Sequence, residues 1–300
     1  ISHGIAVQAE TLILLLQTQK RLQQLTFGLI EATATPKLTE TLNLMPKILS
    51  GLQDLKVVKV KQRSKDGEQA KLCQLLFQYV ASIKNLEVGC CGVGAGEEDK
   101  RSSAERWFTP IAPGPRCSAR LHSLKLFAVD LTYVGSNIVQ SIDASALEVL
   151  HLIGCKGAGI ALGAMADYLR NEQAKLVEFL YTSEKALGHD RETSHRFRTT
   201  GLQRFLRSFS GLRRLYVNLN SKTDLVPAHC IIRHADSLED LLVANAELEY
   251  ADAYDVDDFD EICKHCKNLR QLCVSFPETC IEDERDIMAG FTYGAKSKFM

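Results

Sequence analysis

One pattern of apolar and polar positions returns along most of the chain: apolar, two others, apolar, one other, apolar. It occurs nine times, as LQQLTF from Leu22, LQDLKV from Leu52, IKNLEV from Ile83, LHSLKL from Leu121, LEVLHL from Leu147, LVEFLY from Leu176, LRRLYV from Leu212, LEDLLV from Leu238 and LRQLCV from Leu269. Successive copies lie between 26 and 38 residues apart, about 31 on average, which is the spacing of a repeat array. The alternation within each copy predicts a short strand with one buried face. Ahead of most copies the apolar period lengthens to that of a helix. Leu202, Phe205, Leu206, Phe209 and Leu212 follow the i, i+3, i+4 spacing of one helix stripe, and similar runs precede Leu86 and Leu272. Each unit is expected to run helix, strand, loop. A unit this small cannot bury its own apolar face, so neighbours must stack on a shared core.

The positions beside the second apolar residue of each copy say which face is wet. They include Gln24 and Thr26, Asp54 and Lys56, Asn85 and Glu87, Ser123 and Lys125, and Val149 and His151, and most are polar or charged. A parallel strand covered on both faces reads instead as a nearly continuous apolar run. One solvated face is therefore expected. On it, Lys56, Lys125, Phe127, His151, Arg214 and Tyr216 are the candidate contacts for a protein partner.

Two copies extend into the signature L-x-L-x-x-C, in LEVGCC ending at Cys91 and LHLIGC ending at Cys155. From about Leu12 to Phe276 the chain resembles leucine-rich repeats of the long, ribonuclease-inhibitor-like type. The two cysteine copies resemble the subtype found in F-box/leucine-rich-repeat proteins. The resemblance implies an α/β fold: one right-handed solenoid domain over 1–300, with about nine irregular repeats. Parallel strands would line its concave face and helices its convex face. It also implies protein recognition without catalysis, as the region of a cullin–RING ubiquitin-ligase receptor that chooses the target. In that family an F-box helix cluster grips the ligase adaptor, and none is present here. LMPKILSGL, from Leu44, faintly resembles the start of one, yet it belongs to the helix of the second repeat. Adaptor binding would need an F-box before Ile1. The chain starts at Ile1 and not Met, so it is expected to be a fragment.

The stretch LEVLHLIGCKGAGIALGAMADYL, from Leu147, also fits the opening of a dinucleotide-binding domain. A strand runs into glycines, a small-residue helix follows, and Glu184 stands 21 residues after Gly163, near the place of a ribose-binding acid. The spacing from Gly154 to Gly163 is G-x-x-G-x-G-x-x-x-G and not G-x-G-x-x-G. The same strand also recurs eight more times without a glycine loop. An NAD(P)-binding oxidoreductase using this turn is the remote alternative. A leucine-rich-repeat interaction scaffold unrelated to ubiquitin ligase is the nearer one.

Four polar segments interrupt the array, at 61–69, 92–120, 183–200 and 246–258, and all are expected on the rim where the strands end. The second is an irregular insert holding Trp107 with Pro110, Pro113 and Pro115. From Thr193 to Thr223 there are six arginines and no acid. Arginine forks suit carboxylate and phosphate, so Arg196 and Arg198 are candidate rim contacts for an acidic or phosphorylated segment. Arg204 and Arg207 are expected on a solvated helix face. The acidic run from Glu247 to Glu261 lacks the glycine and glutamate of an EF-hand loop, and Asp257 or Asp258 is expected to cap a helix starting near Phe259. Cys263 and Cys266 are spaced like a metal or redox pair, but no second pair accompanies them. Core packing of both is expected, with no metal and no cofactor. No nucleophile stands beside a histidine in any hydrolase pattern, so no enzyme is expected.

The totals fit this picture. With net charge -1, 45% hydrophobic and 24% charged residues, the chain reads as a soluble protein, and nucleic-acid or membrane-surface binding is disfavoured. Its longest apolar run, Leu12 to Leu16, falls far short of the roughly 20 residues that span a bilayer, and no secretory leader is visible. Ten cysteines in 300 residues read as reduced thiols of an intracellular protein, cytoplasmic or nuclear.

Overall fold

The structure is a computed structural model and describes residues 6–7, 9–29, 47–52, 54–62, 83–90, 120–135, 137–183, 200–219, 225–245 and 254–274. Its strands are β1 (Ala6–Val7), β2 (Gln24–Leu29), β3 (Val57–Gln62), β4 (Asn85–Cys90), β5 (Ser123–Phe127), β6 (Val149–Ile153), β7 (Glu178–Thr182), β8 (Arg214–Leu219), β9 (Asp240–Asn245) and β10 (Gln271–Val274). All pair in parallel, in sequence order, within a single sheet. The two-residue β1 precedes nine strands of four to six residues. Helices are α1 (Ala9–Thr18), α2 (Asn137–Ser141), α3 (Ala158–Leu169), α4 (200–207), α5 (Ala228–Ile232) and α6 (Val256–His265).

Register explains the burial. Leu25, Val58, Leu86, Leu124, Leu150, Phe179, Leu215 and Leu241 are aligned across eight strands, and all are buried. Two residues on, a second buried line runs from Phe27 through Val88, Leu152 and Val243. Helix residues Leu12, Leu16, Ile138, Met165, Phe205 and Ile262 join the same continuous core. Strands added one after another, with the described helices packed on the shared core, make a solenoid-like α/β stack. A doubly wound sheet reverses its strand order to place helices on both faces, and no reversal occurs among the described strands. Leu202, Phe205 and Leu206 are buried on α4 as the helix stripe predicts, whereas Phe209 and Leu212 are buried beyond the end of that helix. Phe179, Phe205 and Phe209 pack in sequence, tilted and then edge to face, with centroids 5.1 and 5.2 Å apart.

A backbone ladder ties the repeats together just before each strand. The Lys56 carbonyl accepts from both Lys84 and Asn85, that of Lys84 from His122 and Ser123, and that of Arg213 from Glu239 and Asp240. Each carbonyl so uses both lone pairs, and the entering chain is fixed before pairing begins. The buried Cys155 thiol adds a link further on, donating to the Leu126 carbonyl of the preceding repeat at 3.4 Å.

The glycines after β6 are packing devices. Gly157 stands at φ +67° at the start of α3, where a Cβ would come within 2.4 Å of the Thr132 backbone. Gly159 meets α4 so closely that a Cβ on Gly201 would lie 1.9 Å from its carbonyl oxygen. Gly154, at φ +62°, donates its N–H to Thr182. This turn joins one repeat to its neighbours on both sides.

Several sequence expectations shift by a few residues. The second copy is in register as LKVVKV from Leu55, not LQDLKV from Leu52, because Val58 is the residue that pairs with Leu25 and Leu86. Lys61 and Gln62 belong to β3 and not to a rim loop. Tyr254 is core: it is 1% exposed and its hydroxyl donates to the Val226 carbonyl. The cap of α6 is Asp255, which accepts from the Asp258 N–H at 2.7 Å, so Asp257 and Asp258 lie inside the first turn. Cys266 is buried, which pushes its thiol up to about 11, whereas Cys263 is exposed and does not pack in the core.

Candidate recognition surface on the open face of the sheet

Between the two buried lines, every strand turns side chains to the uncovered face. The middle register line there runs Thr26, Lys59, Glu87, Lys125, His151, Leu180, Tyr216, Leu242 and Cys273. Lys125, His151, Arg214, Tyr216 and Phe127 are all on this face, as the alternation predicts. Lys56 is not. It precedes β3, and the position corresponding to Lys125 is Lys59. Sequence reasoning missed Lys59 because the second copy is three residues out of register, and passed over Glu178 for want of knowing its neighbours. Trp107, Arg196 and Arg198 lie outside the described residues, as does Cys91.

Charges on the face alternate from strand to strand. Lys59 pairs with Glu87 at 2.6 Å. Glu178 takes His151 Nε2 on one oxygen at 2.6 Å and the Arg214 guanidinium on the other at 2.5 Å. Asp240 follows in register with Arg214. His151 is only 8% exposed, and burial lowers its pKa against the opposing hydrogen bond to Glu178. At neutral pH the ring is therefore uncharged and donates Nε2–H to Glu178, which fixes the tautomer. Burial first, then the Asp240 carboxylate, raises the Tyr216 hydroxyl above its usual range. The described cations Lys59, Lys125 and Arg214 face the anions Glu87, Glu178 and Asp240, so the surface is close to self-neutral.

That arrangement changes what the arginines can do. Arg214 is committed to Glu178, Arg213 to Glu239 through two hydrogen bonds at 2.6 and 2.9 Å, and Arg204 to Asp167 at 2.6 Å. Three of the four described arginines of the run, Arg204, Arg213 and Arg214, are thus neutralised from within the fold.

Across β5 to β9 the face carries an apolar strip. Phe127 is paired with Ile153, Leu180 lies diagonal to Ile153, and Tyr216 and Leu242 continue in register. All five are half-buried. Charged groups flank the strip on the side where the strands begin. An apolar and aromatic centre with fixed, mutually satisfied charges at its edge is the anatomy of a protein interface. Among the described residues no three histidine, cysteine or acidic side chains gather as metal ligands, and no helix is long and apolar enough to cross a membrane. No family model matches this chain, and no curated protein matches it either.

Proposed function

We propose that this chain is a non-catalytic protein-recognition module, a right-handed leucine-rich-repeat solenoid whose strands line a concave binding face and whose helices form the convex side. The observation that carries the reading is the half-buried strip from Phe127 to Leu242, bordered by the Glu178–Arg214 pair. Its alternating charges give register and partner selectivity more than affinity, and the apolar centre supplies the contact energy. The nine-copy pattern and the Cys155 link to the preceding repeat favour the cysteine-containing repeat type. On that resemblance, the module is the target-choosing region of an F-box-type ubiquitin-ligase receptor in the cytoplasm or nucleus. The ligase adaptor would be gripped elsewhere. An interaction scaffold outside ubiquitin chemistry is the second reading, since the same surface serves both.

The test is affinity purification with the wild-type chain beside Tyr216→Ala and Leu180→Arg. Loss of a central interface tyrosine costs about 2 kcal/mol or more, roughly thirtyfold in affinity. The expected result is a set of proteins lost with both variants while circular dichroism stays unchanged. Capture that is indifferent to both substitutions refutes the open face as the recognising surface. Recovery of the ligase adaptor by the full-length protein selects the receptor reading over the scaffold.

A further inference from the structure

The rim where the strands begin carries a second surface, apart from the open face. The residue before each strand takes part in the carbonyl ladder, so these residues form a row spaced by one strand, about 4.8 Å. Ahead of β8 to β10 the row is Arg213, Glu239 and Arg270, and it cancels itself, with Glu239 taking Arg213 at 2.6 Å and Arg270 at 3.6 Å. Ahead of β3 to β5 the row is Lys56, Lys84 and His122. They are joined through backbone bonds of 2.9 Å (Lys84 to Lys56) and 2.7 Å (His122 to Lys84). Among the described residues none of these three has a carboxylate within ion-pair distance. Lys56 and His122 are exposed and Lys84 is half-exposed.

The surroundings add the same sign. Arg120 is exposed beside His122 and only reaches Asp143 at 3.8 Å, and Lys47 is exposed ahead of the second repeat. Lys20 leans over Gly51, where its Nζ would lie 3.7 Å from an added Cβ. Asp54 is an acid on this stretch, and the exposed Glu148, the next rung of the row after His122, bounds the basic part. In register just inside the row lie Val57, Asn85 and Ser123, one apolar and two neutral hydrogen-bonding side chains.

We propose that this rim binds an acidic polypeptide segment laid across β3 to β5. The uncompensated Lys56 and Lys84 ammonium groups, on adjacent repeats, attract carboxylates, and the half-buried Asn85 offers hydrogen bonds to a peptide backbone beside them. A single-stranded nucleic acid would want aromatic rings for its bases. The row and the line next to it hold no Phe, Tyr or Trp, and their one ring is the His122 imidazole. The surface lies on a different part of the sheet from the Phe127–Leu242 strip, so the two readings stand or fall separately.

The test is fluorescence anisotropy of the full chain with a labelled ten-residue glutamate peptide, a glutamine peptide of equal length, and a ten-nucleotide uridine RNA. The K56E/K84E double variant is compared with K156E/K267E, which changes net charge equally at exposed sites in other repeats. The expected result is binding of the glutamate peptide alone, weakened by rising salt and by tenfold or more in K56E/K84E, but kept in K156E/K267E. Thermal melting confirms that both variants fold. The proposal is overturned if the glutamate peptide does not bind, if both double variants lose it equally, or if the RNA binds more tightly.

Discussion

His234 shows how a single side chain can set a pH limit on the fold. It is 1% exposed, its ring lies 5.1 Å from Phe209, Nδ1 accepts the Leu212 N–H at 3.5 Å, and the Leu206 backbone is its other polar neighbour. A second proton would place a charge without a carboxylate partner in that apolar space, and burial, outweighing the Leu206 backbone hydrogen bond, holds the pKa down to about 4. Above pH 6.5 the ring is neutral whether the chain is folded or not. Between 6.5 and about 4 the unfolded chain takes up the proton and the folded chain does not, so stability falls as the pH falls. The loss from this group reaches about 3 kcal/mol by pH 4. His151, also lowered, adds in the same direction. Denaturant titrations from pH 7.5 to 4 should show a clearly flatter pH dependence for His234→Gln than for wild type; parallel curves would mean that the ring is not the titrating group. Tyr254 makes the complementary case without titration. Its hydroxyl is buried and donates to the Val226 carbonyl, pinning the start of α6 to the segment before α5. Tyr254→Phe leaves that carbonyl unpaired and should lower unfolding stability by about 1–3 kcal/mol in the same titration.

At the scale of elements, two glycines of one turn separate conformational strain from close packing. Gly154 and Gly157 have nearly the same φ, +62° and +67°, but a Cβ at Gly154 meets nothing within 4 Å while one at Gly157 runs into the Thr132 backbone. Gly154→Ala should therefore cost only the left-handed backbone penalty, about 1 kcal/mol. Gly157→Ala must also displace backbone rather than the free end of a flexible side chain, and should cost about 3 kcal/mol or more. Equal destabilisation of the two variants would contradict the packing role. This turn also marks what a sequence can and cannot say. The glycine spacing and the recurrence of the strand already favour a repeat turn over a pyrophosphate cradle, but the close partners, Thr132 and Gly201, come from distant stretches of the chain. Short-range patterning located nearly every strand to within a residue or two. It failed at the second copy because Leu52, Leu55, Val57, Val58 and Val60 offer two overlapping apolar registers, and only pairing with Leu25 and Leu86 selects the later one. The helix cap failed for a similar reason, since any of Asp255, Asp257 and Asp258 can accept from a first-turn N–H.

For the whole molecule, sequential parallel pairing means that each repeat, strand and helix together, is supported mainly by its two neighbours, so stability is a sum of local terms and nearest-neighbour terms. The open-face residues were legible one at a time, because alternation reveals which side they take. Their ion pairs were not, because Glu178–Arg214 and Lys59–Glu87 depend on which repeats are adjacent and in what register. The same nearest-neighbour logic predicts uneven protection. In β6 and β7 the inward residues Leu150, Leu152, Phe179 and Tyr181 are at most 2% exposed, whereas Leu272, the matching residue of β10, is 38% exposed. A strand whose core residue keeps that much contact with water opens at lower cost than one held from both sides. Native-state hydrogen exchange followed by mass spectrometry should find Val149–Ile153 and Glu178–Thr182 exchanging slowest and Gln271–Val274 much faster. Leu150→Ala should destabilise by about 2–5 kcal/mol and accelerate exchange in β5 and β7 as well as β6. Leu272→Ala should leave those three strands nearly unchanged. Uniform protection from β2 to β10, with uniform loss in both variants, would show a sheet that opens only as one unit, and the nearest-neighbour account would fail.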